Sequence, residues 1–255
     1  MDTQNIIFIP AVVSNKGERK LRNNSLIKDV FELSISSWKV FADKYNCKVV
    51  VMDTPLMDTN ITSLAWQRYY ALDMLDQSQI EYDQVLIVDA DTIVHPKCPN
   101  FFELTENKYV GVHDCISYDW IIKSIECYKS YLFNDFDLDI WKYINGGFQI
   151  FNKSHREYLD TFKQFYIDNK DIIYQIETKV GLGTDQTPMN YFLQKHNVDV
   201  KILPYEYNMT GLYVGEGLSD DLPFIDLGYI YHFNGIPNNP ESVLNWMQKV
   251  TDKIF

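Results

Sequence analysis

Two carboxylates separated by a single alanine, Asp89 and Asp91, stand at the end of the apolar run Val85-Leu86-Ile87-Val88. That pairing suits the holding of a hard divalent cation between oxygen ligands. The run is short and rich in β-branched residues, as a strand covered on both faces is. Open α/β sheets bind their ligands at the carboxyl ends of such strands. Residues two apart in an extended chain share a face, so the spacing predicts that both carboxylates converge on one ion. His232, at the end of the apolar run Phe224 to Tyr231, offers an imidazole. Taken alone, it reads first as a structural histidine. Two carboxylates and an imidazole together leave coordination positions open on Mg²⁺ or Mn²⁺, as the grip of a diphosphate requires.

Other residues could act beside them. Arg68 falls on the buried stripe of a helix predicted from Ser63 to about Asp76, whose other members are Ala65, Tyr69, Leu72 and Leu75. A buried guanidinium needs an anion, either a diphosphate or a structural carboxylate. The glycines of Asn145-Gly146-Gly147 allow a tight turn or a close approach of ligand to backbone. Asp185-Gln186 follow the loop Gly181-Leu182-Gly183 at the start of a helix, where Asp185 is either a cap or a reacting group.

These residues must be carried by a sheet. Ile6 to Val13, Cys47 to Met52, Tyr109 to His113 and Val198 to Leu203 read as further strands, and Asn145 to Asn152 as a turn entering one. Ile27, Phe31, Trp38, Phe41 and Tyr45 mark a helix after Asn23-Asn24-Ser25, and the βαβ unit so formed predicts a parallel pair. Ser154 to Glu157 fits a capping box opening a helix through Tyr158, Phe162 and Phe165. Asn239-Pro240 opens a last helix carrying Val243, Met247, Val250 and Ile254. The stretch from Asp114 to Tyr143 is expected to be irregular and to face an acceptor. Its Asp135, Asp137 and Asp139 lack the glycine and closing glutamate of a calcium loop and read as an exposed face. Ser14 to Lys20 reads as a loop, either a solvated basic turn or a cover for a nucleotide.

The totals set bounds. The 255 residues suit one α/β domain spanning 1–255, with no repeat or linker. A formal charge of −12 argues against nucleic acid or an anionic membrane as partner, and a phosphorylated substrate then needs a local cation or a metal. The chain holds 18 tyrosines, 15 phenylalanines and 5 tryptophans, rings that suit sugars and bases as well as a core. Its four cysteines form no CxxC pair and read as reduced thiols. No apolar run approaches the roughly 18 residues of a membrane span, and the polar start shows no signal peptide. The expected compartment is the cytoplasm.

In these residues the chain resembles the GT-A nucleotide-sugar glycosyltransferases, and most of all glycosyltransferase family 8, the glycogenin-like and bacterial galactosyltransferase-like enzymes. The likeness runs from Ile6 to Asn234 and rests on an ordered series: Arg68, the DxD of Asp89 and Asp91, Asn145-Gly146-Gly147, Asp185-Gln186, and the HxxG of His232 to Gly235. It implies a GT-A fold, a Rossmann-like, mostly parallel sheet flanked by helices. It also implies Mn²⁺ or Mg²⁺ on Asp89, Asp91 and His232. The partners would be a nucleoside-diphosphate sugar donor, a UDP-sugar foremost, and a saccharide or other hydroxyl acceptor. Arg68, Ala90, Asn145, Gly147 and Gly235 fall at donor positions, and Asp185 and Gln186 at the reacting anomeric carbon of a retaining transfer. The lysine that follows HxxG in that family has no counterpart, since Gly235 runs into Ile236-Pro237-Asn238. Either Arg68, Lys16, Arg19 or Lys20 replaces it, or the chain belongs to a more distant GT-A branch. Two other readings compete: a haloacid-dehalogenase-type phosphatase with Asp89 as nucleophile, and a non-catalytic module that binds sugar nucleotides or carbohydrate.

Overall fold

The computed structural model describes residues 4–13, 24–115, 117–183, 185–213, 221–236 and 240–255. A six-stranded sheet forms its centre. In spatial order its strands are β2 (Lys48–Met52), β1 (Gln4–Pro10), β3 (Tyr82–Val88), β6 (Ile144–Asn152), β5 (Tyr109–His113) and β7 (Val200–Leu203). β1 is parallel to both β2 and β3, β5 is parallel to β7, and β6 runs against its neighbours β3 and β5. The expected parallel βαβ unit therefore forms, and the sheet is mostly parallel.

Both faces are covered, which is why the strand sequences are continuously apolar rather than alternating. On β3, Val85 and Ile87 face a core shared with Trp66, Tyr69, Phe162 and Tyr191. Leu86 and Val88 face the opposite core, with Trp38, Phe41 and Phe101. The first face is covered by α2 (Leu64–Gln67), α3 (Ala71–Gln77), α4 (Tyr118–Leu132), α5 (Arg156–Gln175) and α6 (Gln186–Lys195). α1 (Asn24–Tyr45) lies on the second. A small antiparallel sheet of β4 (Thr92–Val94) and β8 (Ile230–His232) sits beside it, with Met247 and Val250 of α7 (Pro240–Ile254) in a third cluster.

Several expectations change. The stretch after Asp114 is irregular only in part: 133–139 form no helix or strand, but before them α4 has Ser117 as its cap, accepting from Trp120 N, and buries Ile121, Ile125 and Tyr128 at helical spacing. That periodicity stands in the sequence, diluted by exposed aromatics on the other face. The helix expected from Ser63 is broken, because a 3₁₀ turn, Arg68–Tyr70, separates α2 from α3. The capping box before α5 is formed by Asn152 and His155 rather than Ser154 and Glu157. The strand expected from Phe224 shrinks to β8, with turns before it. Asp135 and Asp137 pair with Lys195 and Lys129, and Asp139 accepts from Trp141 N. No helix among the described residues is long and apolar enough to cross a membrane, and all four cysteines are free.

One buried chain of hydrogen bonds ties α1 to the corner after β3. The Trp38 indole donates to Thr92 Oγ1 at 2.9 Å, and Thr92 donates to the Asp89 carbonyl at 2.8 Å. Both side chains are fully buried. Thr92→Val keeps the shape but orphans the indole N–H, so it should cost about 1–3 kcal/mol in urea denaturation; a change below about 0.5 kcal/mol, the range of ordinary surface substitutions, would contradict this account.

Candidate metal and donor site

The chemistry-bearing residues meet where strands of both senses end. Asp89 follows the last residue of β3, Asp114 follows β5, and Asn145-Gly146-Gly147 lie at the start of the reversed strand β6. The reversal of β6 brings its amino end to the carboxyl ends of its neighbours. Its pairing sets Val88 opposite Phe148, and the Asp89 N–H donates to the Gly147 carbonyl at 3.0 Å. Asp89 and Asp91 lie in the turn between β3 and β4 rather than on a continuing strand. Their carboxylates converge through this turn and not through strand alternation. β4 pairs Thr92 with His232, and Phe233 N–H donates to the Asp91 carbonyl at 2.9 Å. That register brings the imidazole to the corner.

One ligand atom each from Asp89, Asp91 and His232 lies within 4.8 Å of the others. His232 Nε2 is 3.2 Å from Asp91 Oδ1 and 3.6 Å from Asp89 Oδ2. It is buried, and these two carboxylates are the groups it faces. Burial works against the imidazolium, but the nearby Asp91 and Asp89 carboxylates outweigh it and hold the His232 pKa above its usual value. Burial likewise works against ionised Asp91, and His232 outweighs it, so that the Asp91 pKa falls. Gly147 leaves the space between them clear: a Cβ there would stand 2.4 Å from His232 Cε1 and 2.5 Å from Asp89 Oδ2. Two carboxylate oxygens, an imidazole nitrogen with no other partner and a side-chain-free floor fit a hard divalent ion such as Mn²⁺ or Mg²⁺.

Arg68 stands between carboxylates. Its Nη1 is 2.7 Å from Asp89 Oδ1 and also donates to the Gly146 carbonyl at 3.1 Å, and its Nε is 3.6 Å from Asp185 Oδ2. Both alternatives for this arginine were anionic, and in this structure the anions are carboxylates. Burial opposes the guanidinium charge, yet Asp89 and Asp185 raise its pKa above the ordinary value. Asp185 occupies the cap position of α6 without capping it. Its carboxylate accepts from Tyr69 OH at 3.2 Å, and burial pushes its pKa up despite Arg68. Gln186 Oε1 accepts from Gly146 N at 2.8 Å and Asn145 Nδ2 at 3.2 Å, while its Nε2 donates to Asp114 Oδ2 at 2.6 Å.

Arg68, Asp89, Asp91, Asn145, Gly147, Asp185, Gln186 and His232 are thus brought into one hydrogen-bonded and ion-paired cluster, with Ala90 buried in its corner. Gly235 adopts φ +68° against the Tyr213 ring. Lys16, Arg19 and Lys20, named as substitutes for the missing lysine, lie outside the described residues, as do Pro237 and Asn238. Sequence reasoning missed Asp114, Tyr69 OH and Asn208. Asp114 was within reach of the rule that already picked out Asp89, since it too follows a parallel strand.

No family model and no curated protein matches the sequence. Solved structures do match its shape. A glycosyltransferase involved in the glycosylation of the major capsid of PBCV-1 superposes with a TM-score of 0.58 at 11% identity, over 96% of this chain and 98% of that one. The apo-form glycosyltransferase GlyE of Streptococcus pneumoniae TIGR4 superposes with a TM-score of 0.50 at 14% identity, over 99% of this chain and 63% of that one. The fold is of the GT-A type. At these identities the likeness is one of fold.

Arg68 is the cation on which Asp89 and Asp185 depend. In Arg68→Met both carboxylates would be left half-buried without it, so stability at neutral pH should fall by about 3 kcal/mol. The loss should depend on pH. A carboxyl whose folded pKa is raised, as that of Asp185 is, adds stability below its unfolded pKa and loses it as pH rises through the folded one. Removing Arg68 raises that pKa further, so the difference between wild type and variant should widen from acid to neutral pH. Urea denaturation across that range measures it; a difference independent of pH would contradict the role given to Arg68.

Proposed function

We propose that this GT-A domain, residues 1–255, is a metal-dependent glycosyltransferase that moves a sugar from a nucleoside-diphosphate sugar, a UDP-sugar foremost, to the hydroxyl of a saccharide or other acceptor. One observation carries the reading: the buried Nε2 of His232 converges with the Asp89 and Asp91 carboxylates within 4.8 Å, over a glycine that keeps the space clear. The fold shared with glycosyltransferases supports it. Family 8 remains the family proposed for the chain, on the five motifs alone.

Asp89, Asp91 and His232 would hold Mn²⁺ or Mg²⁺. When bound, the cation would stabilise the negative charge that develops on the leaving diphosphate. It would also relieve the repulsion a −12 chain exerts on that donor. The rest is the work of the protein's own groups. Arg68 keeps Asp89 oriented and stands beside Asp185, close enough to both to serve as the cation that the absent lysine leaves wanting. The start of β6 offers a floor without side chains at Gly146 and Gly147 for the donor. Gln186, held at both ends of its amide, presents a fixed dipole beside that floor, and Asp185 supplies negative charge near an oxocarbenium-like carbon. Retention of configuration is proposed on the resemblance to family 8 alone. The four free thiols suit a reducing compartment such as the cytoplasm.

The phosphatase alternative fares worse, because the fold is shared with glycosyltransferases and the Asp89 carboxylate is engaged by Arg68. A thermal-shift screen of UDP-, GDP-, ADP- and dTDP-sugars, with and without Mn²⁺, tests the proposal. One sugar nucleotide should stabilise the protein only with Mn²⁺, by about 2.7 kcal/mol at a hundredfold excess over Kd. Asp91→Ala should abolish both that shift and turnover; an unchanged shift would sink the site assignment. Gln186→Ala should keep the shift yet lower kcat by about 100-fold or more. Donor binding with no transfer to any acceptor in a broad panel would favour the non-catalytic module instead.

A further inference from the structure

We propose that Asn208 is a positioning residue of the cation site: it fixes which nitrogen of His232 faces Asp89 and Asp91, and ties that imidazole to the Asn145–Gly147 segment. This inference rests on the cation-site reading above. Its argument starts from a group whose polarity is beyond choice. A backbone N–H can only donate. The Gly147 N–H donates to one side-chain atom of Asn145 at 2.9 Å, so that atom is Oδ1. The Asn208 atom that meets Asn145 Oδ1 at 3.1 Å must then be Nδ2, the donor. The other end of the same amide is therefore Oδ1, an acceptor, and it stands 3.1 Å from His232 Nδ1. Nδ1 must carry the proton. In the neutral ring this leaves the lone pair on Nε2, the buried atom beside Asp91 and Asp89 that has no hydrogen-bond partner.

The same logic orients the other half of the network. The Gly146 N–H donates to Gln186 Oε1, which makes the facing atom of Asn145 its Nδ2 and turns Gln186 Nε2 toward Asp114. Two consecutive backbone amides thus set the direction of four side-chain amides and rings: Asn145, Gln186, Asn208 and His232.

Asn208 is fully buried and is placed by backbone on both sides. Its own N–H donates to the Tyr205 carbonyl at 3.0 Å. The next residue, Met209, donates to the Ile230 carbonyl at 2.8 Å and accepts from the His232 N–H at 3.0 Å. The amide therefore cannot drift relative to the ring it holds. A metal-binding imidazole whose second nitrogen is held by such an outer partner keeps its tautomer and ring angle, and loss of that partner weakens metal binding by about 10–100-fold.

Mn²⁺ titration calorimetry on wild type, Asn208→Leu, Asn208→Asp and Asp91→Asn tests this, with long-range ¹H–¹⁵N NMR of His232 in the metal-free protein at alkaline pH. Wild type should show the Nδ1–H tautomer. Asn208→Leu should lose about 10–100-fold in Mn²⁺ affinity and shift His232 toward Nε2–H. Asn208→Asp still accepts from Nδ1–H, so it should keep that tautomer and the metal affinity; lacking the donor to Asn145, it should weaken sugar-nucleotide binding. Native Mn²⁺ affinity and an unchanged tautomer in a folded Asn208→Leu would overturn the inference. So would loss of metal affinity in Asn208→Asp, the variant that decides the matter if the leucine form does not fold. If Asp91→Asn binds Mn²⁺ as wild type does, the cation-site reading itself fails; if it loses Mn²⁺ while Asn208→Leu keeps it, only the role of Asn208 fails.

Discussion

The arrangement depends on an imbalance of charge. Asp89, Asp91, Asp114 and Asp185 gather in one half-buried place, where among the described residues the guanidinium of Arg68 and the imidazole of His232 stand against them. Ionised carboxylates removed from water need compensation, or their charge becomes too costly to keep. Arg68 spans two of them, and Gln186 donates to a third. Asp91 is left with the ring of His232, on the side where Gly147 keeps its surface bare. The cluster is thus arranged unevenly, closed by protein on the Arg68 side and left, on the other, with three groups that could hold a cation.

Much of this was legible because it is local. A β-branched run ending in Asp89-Ala90-Asp91 announces a buried strand with carboxylates at its end, and such a pattern survives whatever the rest of the chain does. The reversed strand β6 was not legible. Nothing in Asn145 to Asn152 states which way it runs, and direction is decided by which neighbours it pairs with. Yet that direction places Asn145, Gly146 and Gly147 next to Asp89. The broken helix at Arg68 was equally hidden: its apolar stripe continues through the 3₁₀ turn, so periodicity reads straight across.

Asn208 shows a different kind of silence. It lies 63 residues after Asn145 and 24 before His232, in a loop-rich stretch where an asparagine is ordinary. Its significance comes from two hydrogen bonds made across the fold, and neither leaves a trace in neighbouring sequence. Asp114 is intermediate. It follows a parallel strand as Asp89 does, but without a second carboxylate beside it nothing singled it out. Single polar residues that act through long-range amide bonds are the part of a site that a linear reading leaves blank.

The pairing of β4 with β8 has a consequence of another kind. His232 is set opposite Thr92 by strand register, not by the length or path of the polypeptide that arrives at β8. Because side chains alternate along a strand, a slip of one residue would turn His232 away and present a tyrosine or a phenylalanine in its place. Register therefore acts as a strict gauge, and the bonds of Met209 to Ile230 and His232 extend it to the segment that carries Asn208. An insertion of one residue inside β8 would therefore turn the imidazole out of the site, and one between Asn208 and Met209 would part it from the amide that holds Nδ1.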